Sequence, residues 1–237
     1  MVEMLPLVAT GVTVTRRGKR LIGPVDLNIE GDGVTVVIGP NGAGKTTLLQ
    51  ALHGITRLNA GTVRWACPAT QARRAQAFVF QTPVMLRRSV LENLIYPLRA
   101  GGMARKAALA LGREWCGRIG LGAAEGRPAT VLSRGEKQKL AIARALIIEP
   151  AVLFLDEPSA SLDGGATREV ETLIETAAKG GTRVILSTHD MGQARRLARD
   201  AVFLLRGRVH ERGPAPEFFH SPGTAQARAF LAGDIVE

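Results

Sequence analysis

The stretch Gly39-Pro40-Asn41-Gly42-Ala43-Gly44-Lys45-Thr46-Thr47 sets glycines, a lysine and adjacent hydroxyls at fixed offsets. Residues of these types in this order suit a nucleoside triphosphate. Glycines let backbone N–H groups curl around phosphate oxygens, and a following helix adds the positive end of its dipole. Lys45 would reach the β and γ phosphates, and the Thr46 hydroxyl would ligate Mg²⁺. More than a hundred residues on, Asp156-Glu157-Pro158 places two carboxylates side by side. Asp156 can hold Mg²⁺ through its hydration shell, and Glu157 can polarise a water for in-line attack on the γ phosphorus. A glycine-rich turn carrying a lysine, or an N-cap followed by a solvated acid, would need neither pattern.

These groups require particular elements to position them. Val34 to Ile38 is an apolar run directly before the glycine loop, and Leu48 to Leu52 directly after it forms helix, so the order is strand, loop, helix. Ala151 to Leu155 is apolar throughout and ends at Asp156. Such runs belong to parallel sheets covered by helices on both faces, where ligands sit at the carboxyl ends of the strands. Pro158 cannot continue a ladder and ends the strand there.

A third segment, Leu132-Ser133-Arg134-Gly135-Glu136-Lys137-Gln138-Lys139-Leu140-Ala141-Ile142-Ala143-Arg144-Ala145-Leu146, reads as a Ser-Gly turn feeding a helix. Leu140, Ala143 and Ile147 share one face of it. This segment resembles the signature sequence of the ATP-binding cassette (ABC) ATPases, with Arg134 and Glu136 departing from the usual Leu-Ser-Gly-Gly-Gln. The resemblance implies that Ser133 and Gly135 contact the γ phosphate held by a second, head-to-tail copy. It also implies that Gln81 senses Mg²⁺ and the attacking water, that Asp163 lies in the loop through which subunits communicate, and that His189 contacts the γ phosphate. Bland alternatives are a solvated glutamine, a helix N-cap before Gly164 and a structural histidine. Many relatives stack an aromatic ring on adenine near Arg16. Here the segment reads Val14-Thr15-Arg16-Arg17-Gly18-Lys19-Arg20, so either an arginine plane stacks on the base or the base is loosely held.

The implied fold is α/β: a P-loop ABC ATPase with a RecA-like core, an N-terminal antiparallel β region over residues 7–38 and an inserted α-helical subdomain. One nucleotide-binding domain is expected over 1–237, with 1–82 and 148–237 as catalytic core and 83–147 as helical subdomain. Ala104 to Ile119 reads as helix, Gly61 to Trp65 and Arg183 to Ser187 as strands, Glu169 to Ala178 as an amphipathic helix, and Ala201 to Arg212 as a hairpin.

The resemblance further implies ATP and Mg²⁺ as ligands, a homodimer with ATP at its interface, and attachment to integral-membrane permease subunits. Those permeases would meet an extracytoplasmic substrate-binding protein. The chain would then lie on the cytoplasmic face of the membrane, with Val84, Met85 and Leu86 lining a permease groove or serving as ordinary core. The segments around His53, Gln81 to Asn93 and Glu217 to Gly233 look most like oxyanion importers, tungstate-type first, then molybdate or phosphate. The rival readings are an exporter ATPase, such as the haem-export type, and a non-transport ABC ATPase acting on nucleic acid or ribosomes.

Composition narrows the field. At 237 residues and 46% hydrophobic, the chain can build one substantial core. Its most apolar stretch, Leu140 to Leu155, is broken by Arg144, Glu149 and Pro150 and is too short to span a bilayer. Met1 to Pro6 lacks the pattern of a secretory signal, and no regulatory β domain is expected after Glu237. Cys67 and Cys116 show no metal-like spacing and predict a reduced, cytosolic chain. The net charge of +10 suits solvated helix faces or an anionic membrane surface. Aromatic content of 4% and the lack of a recognised motif argue against nucleic acid as a partner.

Overall fold

The computed structural model describes residues 4–236. The start of the N-terminal stretch considered above, residues 1–3, lies outside them. Two sheets form. β1 (Leu7–Arg16), β2 (Lys19–Ile29) and β4 (Ala60–Trp65) make an antiparallel sheet in the order β2-β1-β4. The second sheet runs β5 (Gln76–Val79), β6 (Val152–Asp156), β7 (Arg183–Ser187), β3 (Val34–Ile38), β8 (Asp200–Leu205) and β9 (Arg208–Pro214). Its ladders are parallel except for the last, antiparallel one. The expectation that residues 7–38 form one N-terminal β region is corrected here. β3 is buried on both faces and pairs with β7 and β8 instead. A continuous apolar run belongs at the centre of a covered sheet, whereas β1 and β2 alternate because one of their faces meets water.

Alternation along the central strands sorts their side chains to opposite faces. Val37, Phe154, Ile185 and Leu204 pack with Leu48, Leu49 and Leu52 of α1 (Lys45–His53) and with the antiparallel sheet. Val36, Leu153, Leu155, Leu186 and Phe203 face the other way. There they meet Ile142 of α5 (Arg134–Leu146), Val170 and Ile174 of α6 (Gly164–Lys179), and Ala194 of α7 (Met191–Leu197). Each Val, Leu, Ile or Phe side chain so taken from water contributes roughly 1.5–3 kcal/mol.

A third apolar cluster is built from α3 (Val90–Ala100), α4 (Arg105–Arg118) and the Leu140, Ala143 and Ile147 side of α5. α3 starts at a capping box. Ser89 accepts from the Glu92 N–H, and Glu92 in turn accepts from the Ser89 backbone. α6 starts at Gly164, earlier than the amphipathic pattern alone shows, because the Asp163 carboxylate accepts from Ala166 N–H at 2.8 Å.

The two sheets are stitched together beneath the glycine loop. Arg206 and Gly207, both at positive φ, turn β8 into β9. Gly207 N–H donates to Ala43 O at 3.0 Å, and Gly23 N–H donates to Gly207 O at 2.7 Å.

Candidate functional site

The glycine loop leaves β3 at Gly39 and enters α1 at Lys45. Gly39 has φ 150, and a Cβ there would lie 2.1 Å from Leu204 O; at Gly44, φ 103, it would lie 2.5 Å from Ile22 Cγ2. Both contacts forbid a side chain, so these glycines are demanded by the close approach of β8 and β2 as well as by backbone conformation. Lys45 is only 6% exposed. Its ammonium folds back over the loop, donating to Gly39 O at 3.0 Å and Pro40 O at 3.3 Å. Leu21, Asn41, Gly42, Gly44, Lys45, Thr46 and Thr47 line a cavity of about 300 Å³ that Glu157 closes. Ala43 is buried beside it, held by the bond from Gly207.

β6 delivers Asp156 to the same point. This carboxylate is 3% exposed and accepts from Thr46 Oγ1 at 2.9 Å and Ser187 Oγ at 2.7 Å. Ser187 faces it across the β6–β7 ladder. The Thr46 and Asp156 oxygens are hard donors of the kind Mg²⁺ takes, usually together with waters and substrate phosphates. The described residues hold no cluster of three or more His, Cys, Asp or Glu side chains for a metal.

One residue on, the chain leaves the sheet with Glu157 at φ 46, the left-handed region that non-glycine residues seldom enter. Its N–H donates to Ser187 O at 3.0 Å and to Ser187 Oγ at 3.1 Å. Strained backbone of this kind persists only where surrounding bonds over-determine it. The turn aims the carboxylate at three groups. Gln81 Nε2 donates to Glu157 Oε2 at 3.1 Å, His189 Nδ1 lies 3.1 Å from the same oxygen, and Lys45 Nζ is 3.7 Å from Oε1. Gln81 follows β5, and His189 follows β7. Parallel strands on either side of β6 therefore bring their carboxyl ends to one carboxylate.

Ser133, Gly135, Asp163 and Arg16 do not line the glycine-loop cavity of their own chain. Ser133 caps α5, its Oγ accepting from Glu136 N–H at 3.2 Å while Glu136 Oε2 accepts from Ser133 N–H at 2.8 Å. That backbone bond holds the Glu136 carboxyl below the ordinary range, and Arg127 adds to the effect. The reciprocal cap was readable as Ser-x-x-Glu but escaped the sequence reading. Gly135 sits where a Cβ would lie 3.0 Å from Ala166 Cβ, so it lets the starts of α5 and α6 approach. Asp163 caps α6. Arg16 is exposed at the tip of the β1–β2 hairpin with Arg17, Lys19 and Arg20. Other arginines are locally engaged: Arg196 with Glu171, Arg199 with Asp32, and Arg195 over the Phe219 ring at 5.2 Å.

Residues 22–160 match the family described as ABC transporter. The tungstate uptake system ATP-binding protein TupC of Peptoclostridium acidaminophilum is 38% identical, over 85% of this chain and 94% of its own length. The phosphate import ATP-binding protein PstB 2 of Natronomonas pharaonis is 34% identical, over 97% of this chain and 87% of its own. Relatives' names span other cargoes too, L-cystine and nickel among them. Among solved structures, the dimeric, post-hydrolysis state of an ATP-binding cassette bound to ADP and phosphate superimposes with TM-score 0.78 at 26% identity, covering 88% of this chain and 98% of that one. A phosphate-shaped loop, a buried acid beside its hydroxyl and a second acid ringed by glutamine, histidine and lysine thus coincide with a match over most of the sequence: the chain belongs to the ABC transporter family and is an ABC ATPase.

Proposed function

We propose that this chain is the ATP-hydrolysing subunit of a membrane importer for an oxyanion, tungstate first, then molybdate or phosphate. The observation that carries the cargo class is the near full-length similarity to import proteins named for tungstate and for phosphate. No helix among the described residues is long and apolar enough to cross a membrane. Separate permease subunits would therefore supply the channel, with this chain on their cytoplasmic side and a substrate-binding protein on the other.

For the chemistry, the glycine loop and Lys45 bind the triphosphate, and Thr46 and Asp156, with Gln81, would hold Mg²⁺. The ion, when bound, neutralises charge on the β and γ phosphates. Glu157 accepts a proton as the water oxygen bonds to the γ phosphorus and the bond to the bridging oxygen breaks. Gln81 and His189 fix the carboxylate, which is why its hydrogen bonds support this role. Ser133 and Gly135 complete the site of a second copy, with Asp163 at the seam between copies. Nucleotide then closes a head-to-tail dimer and hydrolysis reopens it, moving the permease between states.

The permease would dock next to Gln81. Val84 is 70% exposed and Tyr96 47%, and the two flank Arg87 and Arg88, whereas Met85 is tucked against the core. Gentle detergent purification of the tagged chain from its native membrane tests the reading. A co-purifying permease encoded beside an anion-binding protein, lost on Val84→Asp, is the expected result. Ribosomal or DNA-repair partners in its place would overturn it.

A further inference from the structure

A second polar cavity, of about 580 Å³, lies on the other side of Gln81 from the glycine loop. Its walls include Gln81, Thr82 and Ser161 on one side and Arg134, Lys137 and Gln138 on the other. The latter three stand at i, i+3 and i+4 of α5, so they share one helix face at its N-terminal end. No carboxylate lines the cavity. Among the described residues neither Arg134 nor Lys137 has an ion-pair partner; the nearby Glu136 carboxylate is engaged by Ser133 N–H and Arg127.

We propose that this cavity is a binding site for inorganic phosphate, the product of the hydrolysis catalysed next door. Two cations on one helix face, without ion-pair partners among the described residues and in a cavity with no lining carboxylate, match a small, multiply charged tetrahedral anion. Gln81 touches both compartments: its amide donates to Glu157 at 3.1 Å, and the same side chain walls the second cavity. Phosphate released from the glycine loop past Gln81 enters a chamber whose charge favours it. Arg134, the residue that departs from the usual glycine, is what gives this chain the site. The inference rests on the ATPase reading for the origin of the phosphate, but its test needs no turnover.

The experiment is calorimetric titration of inorganic phosphate into the nucleotide-free full chain carrying Lys45→Ala, which disables the glycine loop as an anion site. One phosphate per chain is expected to bind. Arg134→Gly combined with Lys137→Ala in that background should weaken binding at least tenfold, and Arg134→Lys should retain it. Both positions are at least partly exposed, and thermal unfolding of each variant confirms that it is folded. Binding abolished by Lys45→Ala alone, or unaffected by the Arg134 and Lys137 changes, overturns the proposal.

Discussion

Replacing Ser187 with alanine removes one hydroxyl from between the two acids and leaves every catalytic candidate in place. Ser187 is fully buried; its Oγ donates to Asp156 at 2.7 Å and accepts from Glu157 N–H at 3.1 Å. The first bond is charge-assisted and contributes about 1.5–3 kcal/mol, and the second, neutral one about 0.5–1.5 kcal/mol. Asp156 would keep only its bond from Thr46, while Glu157 N–H keeps Ser187 O. The sum is a destabilisation of about 2–4.5 kcal/mol, or a fall in Tm of about 4–18 °C for a chain of this length. Equilibrium urea unfolding followed through Trp65 and Trp115 fluorescence measures it directly, at unchanged m. Because the same bond steadies the left-handed turn at Glu157, kcat should fall while ATP still binds. A loss under about 0.5 kcal/mol together with an unchanged kcat would refute the argument that Ser187 holds both acids.

Glu157→Gln should reduce kcat by roughly 10²–10⁴, the usual contribution of a positioned base, while leaving nucleotide binding intact and trapping a dimer in ATP; a variant that turns over rapidly removes Glu157 from that role, and single-turnover kinetics with size-exclusion chromatography distinguish the outcomes. His53 carries the pH dependence. Its ring packs edge-on against Phe78 and Phe154, and burial pushes its pKa down to about 4. The folded state therefore disfavours the proton that the unfolded chain takes up near the ordinary value of 6.5. Stability falls as pH drops from about 6.5 towards 4. Urea unfolding at pH 7 and pH 5 should show wild type losing stability relative to His53→Leu, and parallel losses would count against it.

The nucleotide loop and the central strands were legible because their signals are local. Three glycines, Lys45 and Thr46 fall at offsets that only a few geometries use, and Ala151 to Leu155 is too uniformly apolar for a surface strand. The residues around Glu157 were reached through the family resemblance, because their geometry depends on pairings that no window spans. Gln81 is 76 positions away and His189 is 32. β3 illustrates the same limit: its apolar run marks a covered strand, but its partners β7 and β8 lie far along the chain and carry no local mark. α3 did have one in Ser89 and Glu92, as α5 had in Ser133 and Glu136, but each segment was read for its contacts and not for its cap. The stitch at Gly207 was invisible in another way, since a turn glycine says nothing of the loop it will meet.

The helix that begins at Ser133 belongs to two cores at once. Leu140, Ala143 and Ile147 sit among the side chains of α3 and α4, while Ala141, Ile142 and Leu146 sit against the central sheet. Close-packed interiors yield by stepping between discrete arrangements and not by stretching. α5 is therefore a rod gripped from Leu140 onward by two vices, and a displacement of that gripped half moves both cores together.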